Sequence, residues 1–159
     1  LKIEISESES FELSGKDKVS FQFSANKGGN FNSLNKVASG GELSRLMLAI
    51  KYNLAKNKSL PTLIFDEIDS GISGDIASKM GEMMRKIGNT SQVIAISHLP
   101  QIAGKGDSHY FVYKENTAEK TFTGMKKLSE NDRVEELAKM LSGASISAAA
   151  IENAKTLLN

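Results

Sequence analysis

Hydrophobic and polar positions follow two rhythms along this chain, and each predicts a different kind of element. In the first thirty residues the period is two. Ile3 and Ile5, then Val19, Phe21 and Phe23, stand between polar neighbours. This predicts a hairpin or meander with one buried face, turning at Ser14-Gly15-Lys16-Asp17. Residues 26–36, with Gly28-Gly29 and several asparagines, read as a long loop of the kind that carries function or motion. From Gly41 the period becomes helical: Leu43, Leu46, Met47, Ile50 and Leu54 predict a helix over 41–55. Pro61 stops it, and the continuous apolar run Thr62-Leu63-Ile64-Phe65 reads as a strand covered on both faces. The stripe Ile76, Met80, Met83, Met84, Ile87 predicts a helix over 75–87, and Val93-Ile94-Ala95-Ile96 a second buried strand over 92–97. Strand, helix, strand in that order implies a right-handed parallel crossover.

Residues 109–114 and 121–127 read as two more exposed strands joined at Asn116-Thr117. Two helices close the chain. The first has Ser129 as its N-cap, the stripe Val134, Leu137, Ala138, Leu141, and Gly143 as its stop. The second covers 147–158. The sum is an α/β core with an antiparallel β portion leading into it.

Composition narrows the possibilities. A chain of 159 residues suits one domain, able to bury roughly 70% of its unfolded surface. With no cysteine, disulfide scaffolds, thiolate metal sites and cysteine nucleophiles are excluded, which suits a reducing compartment. Two histidines, His98 and His109, leave no His-rich zinc site. A net charge of +1, with Arg45, Arg85 and Arg133 scattered, gives no electrostatic footprint for nucleic acid. No apolar run approaches the roughly 18 residues of a membrane span, and no signal peptide opens the chain. It begins at Leu1 rather than Met, and is expected to be a piece of something longer.

Three segments carry chemistry. The strand over 62–65 ends in Asp66-Glu67, at the strand end where open α/β sheets bind ligands. An Asp there can hold Mg²⁺, and the following Glu can polarise a water for in-line attack on a γ-phosphate. Both can equally face solvent or cap the next turn. Ser39-Gly40-Gly41-Glu42 opens the first helix, where unpaired N–H groups and bare glycine backbone suit a phosphate. Ser39-x-x-Glu42 also fits a capping box, which by itself gives little reason for two successive glycines. His98 follows the strand over 92–97 and can bond a γ-phosphate or a water, or be a structural histidine.

In this order and spacing, Ser39-Gly40-Gly41-Glu42, Leu63-Ile64-Phe65-Asp66-Glu67, Asp69-Ser70-Gly71 and His98 resemble four motifs of ABC-type ATPase heads. These are the signature motif, the Walker B strand, the D-loop and the switch histidine. Glu42 and the run Asp66-Glu67-Ile68-Asp69 resemble the chromosome-maintenance (SMC-like) branch rather than transporters. Lys36 to Arg45, Phe65 to Gly74, Ser97-His98-Leu99-Pro100-Gln101 and Arg133 to Ala138 resemble the RecN family of bacterial DNA-repair proteins. The resemblance covers about 35–143. It implies an α/β fold, the C-terminal half of an ABC-type ATPase head, its core sheet mostly parallel and flanked by helices, with antiparallel strands at the N-terminus. Residues 1–159 would form that one lobe.

One element is missing. No glycine stands five residues before either Gly-Lys pair: Gly15-Lys16 has Ser10 there and Gly104-Lys105 has Leu99. The phosphate-cradling G-x-x-x-x-G-K-[ST] loop is therefore absent from this sequence. In the family resembled, that Walker A loop lies in an N-terminal lobe, across a long coiled coil. The resemblance then implies a composite ATP site. Asp66 would hold Mg²⁺, Glu67 would activate water, and His98 would sense the γ-phosphate. Ser39, Gly40, Gly41 and Glu42 would reach ATP held by a second copy, with Asp69 at the dimer interface. The expected partners are the Walker A lobe, a second head, and DNA through the full-length protein. The expected setting is the cytoplasm near the nucleoid, with no membrane, and the work is double-strand break repair and recombination. The parent would be the ATPase and this chain alone inactive. A head lobe with a non-repair role, and a dimerisation module without catalysis, remain alternatives.

Overall fold

The computed structural model describes residues 1–24, 27–34, 40–57, 60–66, 68–116, 120–143 and 145–159. The expected hairpin is present. β1 (Lys2–Glu12) and β2 (Gly15–Phe23) run antiparallel, with Ile3 opposite Phe21 and Ile5 opposite Val19. Gly15 opens β2 at φ +104°, a conformation side chains resist. Within the stretch expected as loop, β3 (Asn32–Ser33) pairs with β2. The buried face is not found. Ile3, Ile5, Val19 and Phe21 all stay exposed, because the helices pack on a different unit and on one another.

That unit is α1 (Gly40–Asn57), β4 (Thr62–Phe65), α2 (Gly74–Gly88) and β5 (Gln92–Ala95). β4 and β5 pair in parallel, Leu63 opposite Val93 and Phe65 opposite Ala95. Leu63 and Phe65 point into a core shared with Leu48 of α1, Met80, Met84 and Ile87 of α2, and Ile102. Ala77, rather than Ile76, completes the buried stripe of α2. Coverage of β4 on both faces does not hold. Ile64, its partner Ile94, and Ile96 are 57%, 44% and 56% exposed. The parallel crossover places its helix on one face of a two-stranded sheet, and among the described residues nothing covers the Ile64, Ile94 and Ile96 face. On the side of β4 away from β5, Lys51 of α1 donates to the Ile64 carbonyl at 2.9 Å and lies 4.7 Å from the Phe65 ring centre.

Beyond the short helix α3 (Pro100–Ala103), with Pro100 in its first turn, β6 (Tyr110–Asn116) and β7 (Thr121–Lys127) form an antiparallel pair. α4 (Glu130–Ser142) begins at a reciprocal cap. The Ser129 hydroxyl accepts from the Asp132 N–H, and the Asp132 carboxylate accepts from the Ser129 N–H, each at 3.3 Å. Gly143 ends the helix at φ +75°. α5 (Ala148–Leu158) starts at Ser147, whose hydroxyl accepts from Ala150 N–H. Leu137 and Ala138 of α4 pack on Ala150 and Ala154 of α5 in a second, smaller core.

Candidate functional site

The fold brings the three sequence segments to one place. Asp66 follows directly on β4 and is exposed. The parallel register puts the end of β5 beside it, and Ile96 N–H extends the ladder to the Phe65 carbonyl at 2.8 Å. There β5 gives way, two residues short of the expected 97, because Ser97 and His98 turn to the loop after β4. The Ser97 hydroxyl donates to the Asp69 carboxylate at 2.6 Å, and His98 N–H donates to the same oxygen at 2.8 Å. Ser97 Oγ also accepts from Leu99 N–H at 3.0 Å, which sets the chain toward Pro100 and α3.

Gly41, on α1, meets the same loop from the other side. A Cβ added there would lie 3.1 Å from the Ser70 carbonyl and 3.2 Å from that of Gly71. Only a glycine lets the helix start and the loop approach this closely without displacement. Gly71 itself sits at φ +71° and Gly74 at +57°. This gives Gly41 a packing reason that capping does not supply. Glu42 lies in the first turn of α1, beside Phe23, Arg45, Leu46 and Ala49 around a shallow hollow. Gly40 is the first residue of α1. Ser39 and Glu67 lie outside the described residues.

Burial alone would raise the Asp69 carboxyl. The Ser97 hydroxyl, the His98 N–H and the charge of the His98 ring outweigh it and hold the group below its ordinary value. Asp66 is a single exposed carboxylate, and no group of three or more His, Asp or Glu able to hold a metal gathers among the described residues. One carboxylate matches the donor set of a Mg²⁺ ion carried mainly by phosphate and water. Sequence reading names Asp66, Asp69, Gly41 and His98, which converge here. It misses Ser97, whose hydroxyl links Asp69 to Leu99; a Ser three residues before a Pro-initiated turn is the available signal. No helix among the described residues is long and apolar enough to cross a membrane.

These elements define a class. The fold is that of an SMC-type head. The Smc head domain with a coiled coil and joint from Pyrococcus yayanosii matches with a TM-score of 0.64 at 19% identity, over 82% of this chain and 24% of that one. A chain from a structural study titled for ATP-driven dimerization and DNA-stimulated activation of SMC ATPases matches with a TM-score of 0.57 at 17% identity. That match covers 90% of this chain and 84% of the other. No protein-family profile matches the chain. In sequence it is similar to RecN proteins over nine tenths of its length. It is 46% identical over 146 residues to the DNA repair protein RecN of Rickettsia felis, covering 92% of this chain and 27% of that protein. It is 47% identical over 144 residues to RecN of Vibrio cholerae, covering 91% and 26%. The chain thus spans about a quarter of the length of the relatives it matches.

Proposed function

We propose that this chain is the C-terminal lobe of a RecN-type ATPase head and supplies one half of a composite ATP site. The observation that carries the reading is the convergence of Gly41, Asp66, the 69–71 loop and His98 at the ends of two parallel strands. Sequence kinship with RecN proteins, and a fold shared with SMC heads, support it.

In this reading Asp66 holds Mg²⁺, Glu67 orients and deprotonates the attacking water, and His98 meets the water or the γ-phosphate. The metal supplies charge neutralisation on the phosphate oxygens. Ser39, Gly40, Gly41 and Glu42 reach the ATP of a second head, so that ATP joins two heads and hydrolysis parts them. Asp69 lies at the edge of that interface. The parent protein couples the cycle to DNA double-strand break repair and recombination at the nucleoid. The phosphate-cradling loop comes from another part of that protein. The bare face of Ile64, Ile94 and Ile96, and the uncovered face of the β1–β2 hairpin, are where it packs.

Titration calorimetry tests this. The chain alone should show no micromolar affinity for Mg-ATP, and addition of a lobe bearing G-x-x-x-x-G-K-[ST] should restore binding and turnover. Micromolar binding by the chain alone would refute the composite site. A non-catalytic dimerisation module is the second reading; unimpaired repair by a parent protein carrying Asp66→Ala and His98→Ala would favour it.

A further inference from the structure

Asp69 is 2% exposed, whereas the His98 side chain, which it touches, is 73% exposed. The carboxylate oxygen Oδ2 gathers three groups from residues 28 and 29 positions away. Ser97 Oγ lies at 2.6 Å, His98 N at 2.8 Å and the ring nitrogen His98 Nδ1 at 3.1 Å. The first two close a loop, and any loop could use them. The third is a close approach in distance rather than an aligned hydrogen bond, yet it has a chemical consequence. A lone pair on Nδ1 would still lie 3.1 Å from a buried carboxylate oxygen, an arrangement that repels. A proton on Nδ1 turns the same contact into an attraction. The other nitrogen, Nε2, then keeps the lone pair and has no protein partner among the described residues.

We propose that Asp69 is a positioning residue that holds His98 in the Nδ1–H tautomer and leaves Nε2 as the nitrogen offered to a ligand. The proposal rests on the reading of His98 as a nucleotide-site residue, and it sharpens what His98 can do there. A neutral ring so held has only an acceptor to offer, so it takes a hydrogen bond from a water and gives none to an anionic phosphate oxygen. The protonated ring donates from Nε2 to phosphate, its charge balanced by Asp69 behind it. The carboxylate therefore makes the partner of His98 depend on the ring's charge alone, with tautomer removed as a variable. It also joins the two strand ends mechanically. The start of α1 approaches the same loop closely enough that a Cβ added at Gly41 would lie 3.1 Å from the Ser70 carbonyl and 3.2 Å from that of Gly71.

Long-range proton–nitrogen correlation spectra of the ¹⁵N-labelled chain test the proposal without nucleotide. The chain has two histidines, and a His109→Gln variant assigns His98 by elimination. At about pH 8, where an ordinary imidazole is neutral, His98 should show a protonated Nδ1 and an unprotonated Nε2. That reverses the preference of an unrestrained ring. Asp69→Ala should return His98 to the unrestrained pattern. Asp69→Asn keeps the shape of the side chain where Ala unfolds the loop, and its weaker acceptor should lower the Nδ1–H share. A wild-type His98 protonated mainly on Nε2, or an Nδ1–H share unmoved by both variants, would overturn the proposal. An intact Nδ1–H signature in a parent whose ATP hydrolysis ignores His98→Ala would instead sink the nucleotide reading by itself.

Discussion

The β1–β2 hairpin and the β4–β5 pair begin from similar instructions and end differently. Both align apolar side chains across a strand pair, Ile3 with Phe21 and Ile5 with Val19 in one, Leu63 with Val93 and Ile64 with Ile94 in the other. In the second, α1 and α2 cover the face of Leu63 and Phe65. In the first, nothing among the described residues covers the apolar stripe. Periodicity reports which side chains are suited to burial. Whether they are buried depends on an element able to lie over them.

The comparison breaks most sharply under truncation of the two phenylalanines. Phe65→Ala should cost about 3–5 kcal/mol in denaturant unfolding, the usual range for a buried ring. Phe21→Ala should cost less than about 1 kcal/mol, as for a surface change. Equal losses would mean that the hairpin face is covered after all. Next in size is the 69–74 loop. Gly71→Ala, at φ +71°, should lose about 1–2 kcal/mol. Gly88→Ala, in open space at the end of α2 with no positive φ, should change stability by less than about 0.5 kcal/mol. A smaller loss, about 1 kcal/mol, is expected for Ser129→Ala, which removes the cap of α4.

The smallest effect is one of pH. His109 is held below its ordinary value, first by burial and then by the Arg133 charge, against a weaker pull from Glu136. The unfolded chain therefore binds this proton more readily. Stability should be full above about pH 6.5 and fall as pH drops below it. Asp69 acts in the same direction at lower pH, from about 3.8 downward, since its folded value is also depressed. A His109→Gln variant should flatten the upper part of this acid slope in thermal melts. Ser97→Ala should flatten the lower. An unchanged slope in either variant would remove that group from the account.

Much of the architecture was legible in residue order. The strand over 62–65, the helix over 75–87, the cap at Ser129, the stop at Gly143 and the closing helix over 147–158 follow from local chemistry, and their bounds hold within a residue or two. Burial was less legible. Ile64 sits in a continuous apolar run that reads as covered on both sides, yet only the neighbours Leu63 and Phe65 meet helices. A run of this kind fixes how apolar the surroundings should be without naming what supplies them. At the site, Asp66, Gly41 and His98 stood out by type and spacing. The inward turn of Asp69 did not, because it depends on a contact 28 residues away that no local pattern encodes. Glu67 and Ser39 fall outside the described residues, so their part rests on sequence kinship.

Replacement of Glu67 tests the central claim most directly. In the full-length parent, Glu67→Gln should lower steady-state ATP hydrolysis by at least ~10²-fold, the usual cost of losing one preorganised catalytic group. Size-exclusion chromatography with Mg-ATP should then show an accumulated head dimer. Hydrolysis at the wild-type rate, with no dimer retained, would contradict the composite site.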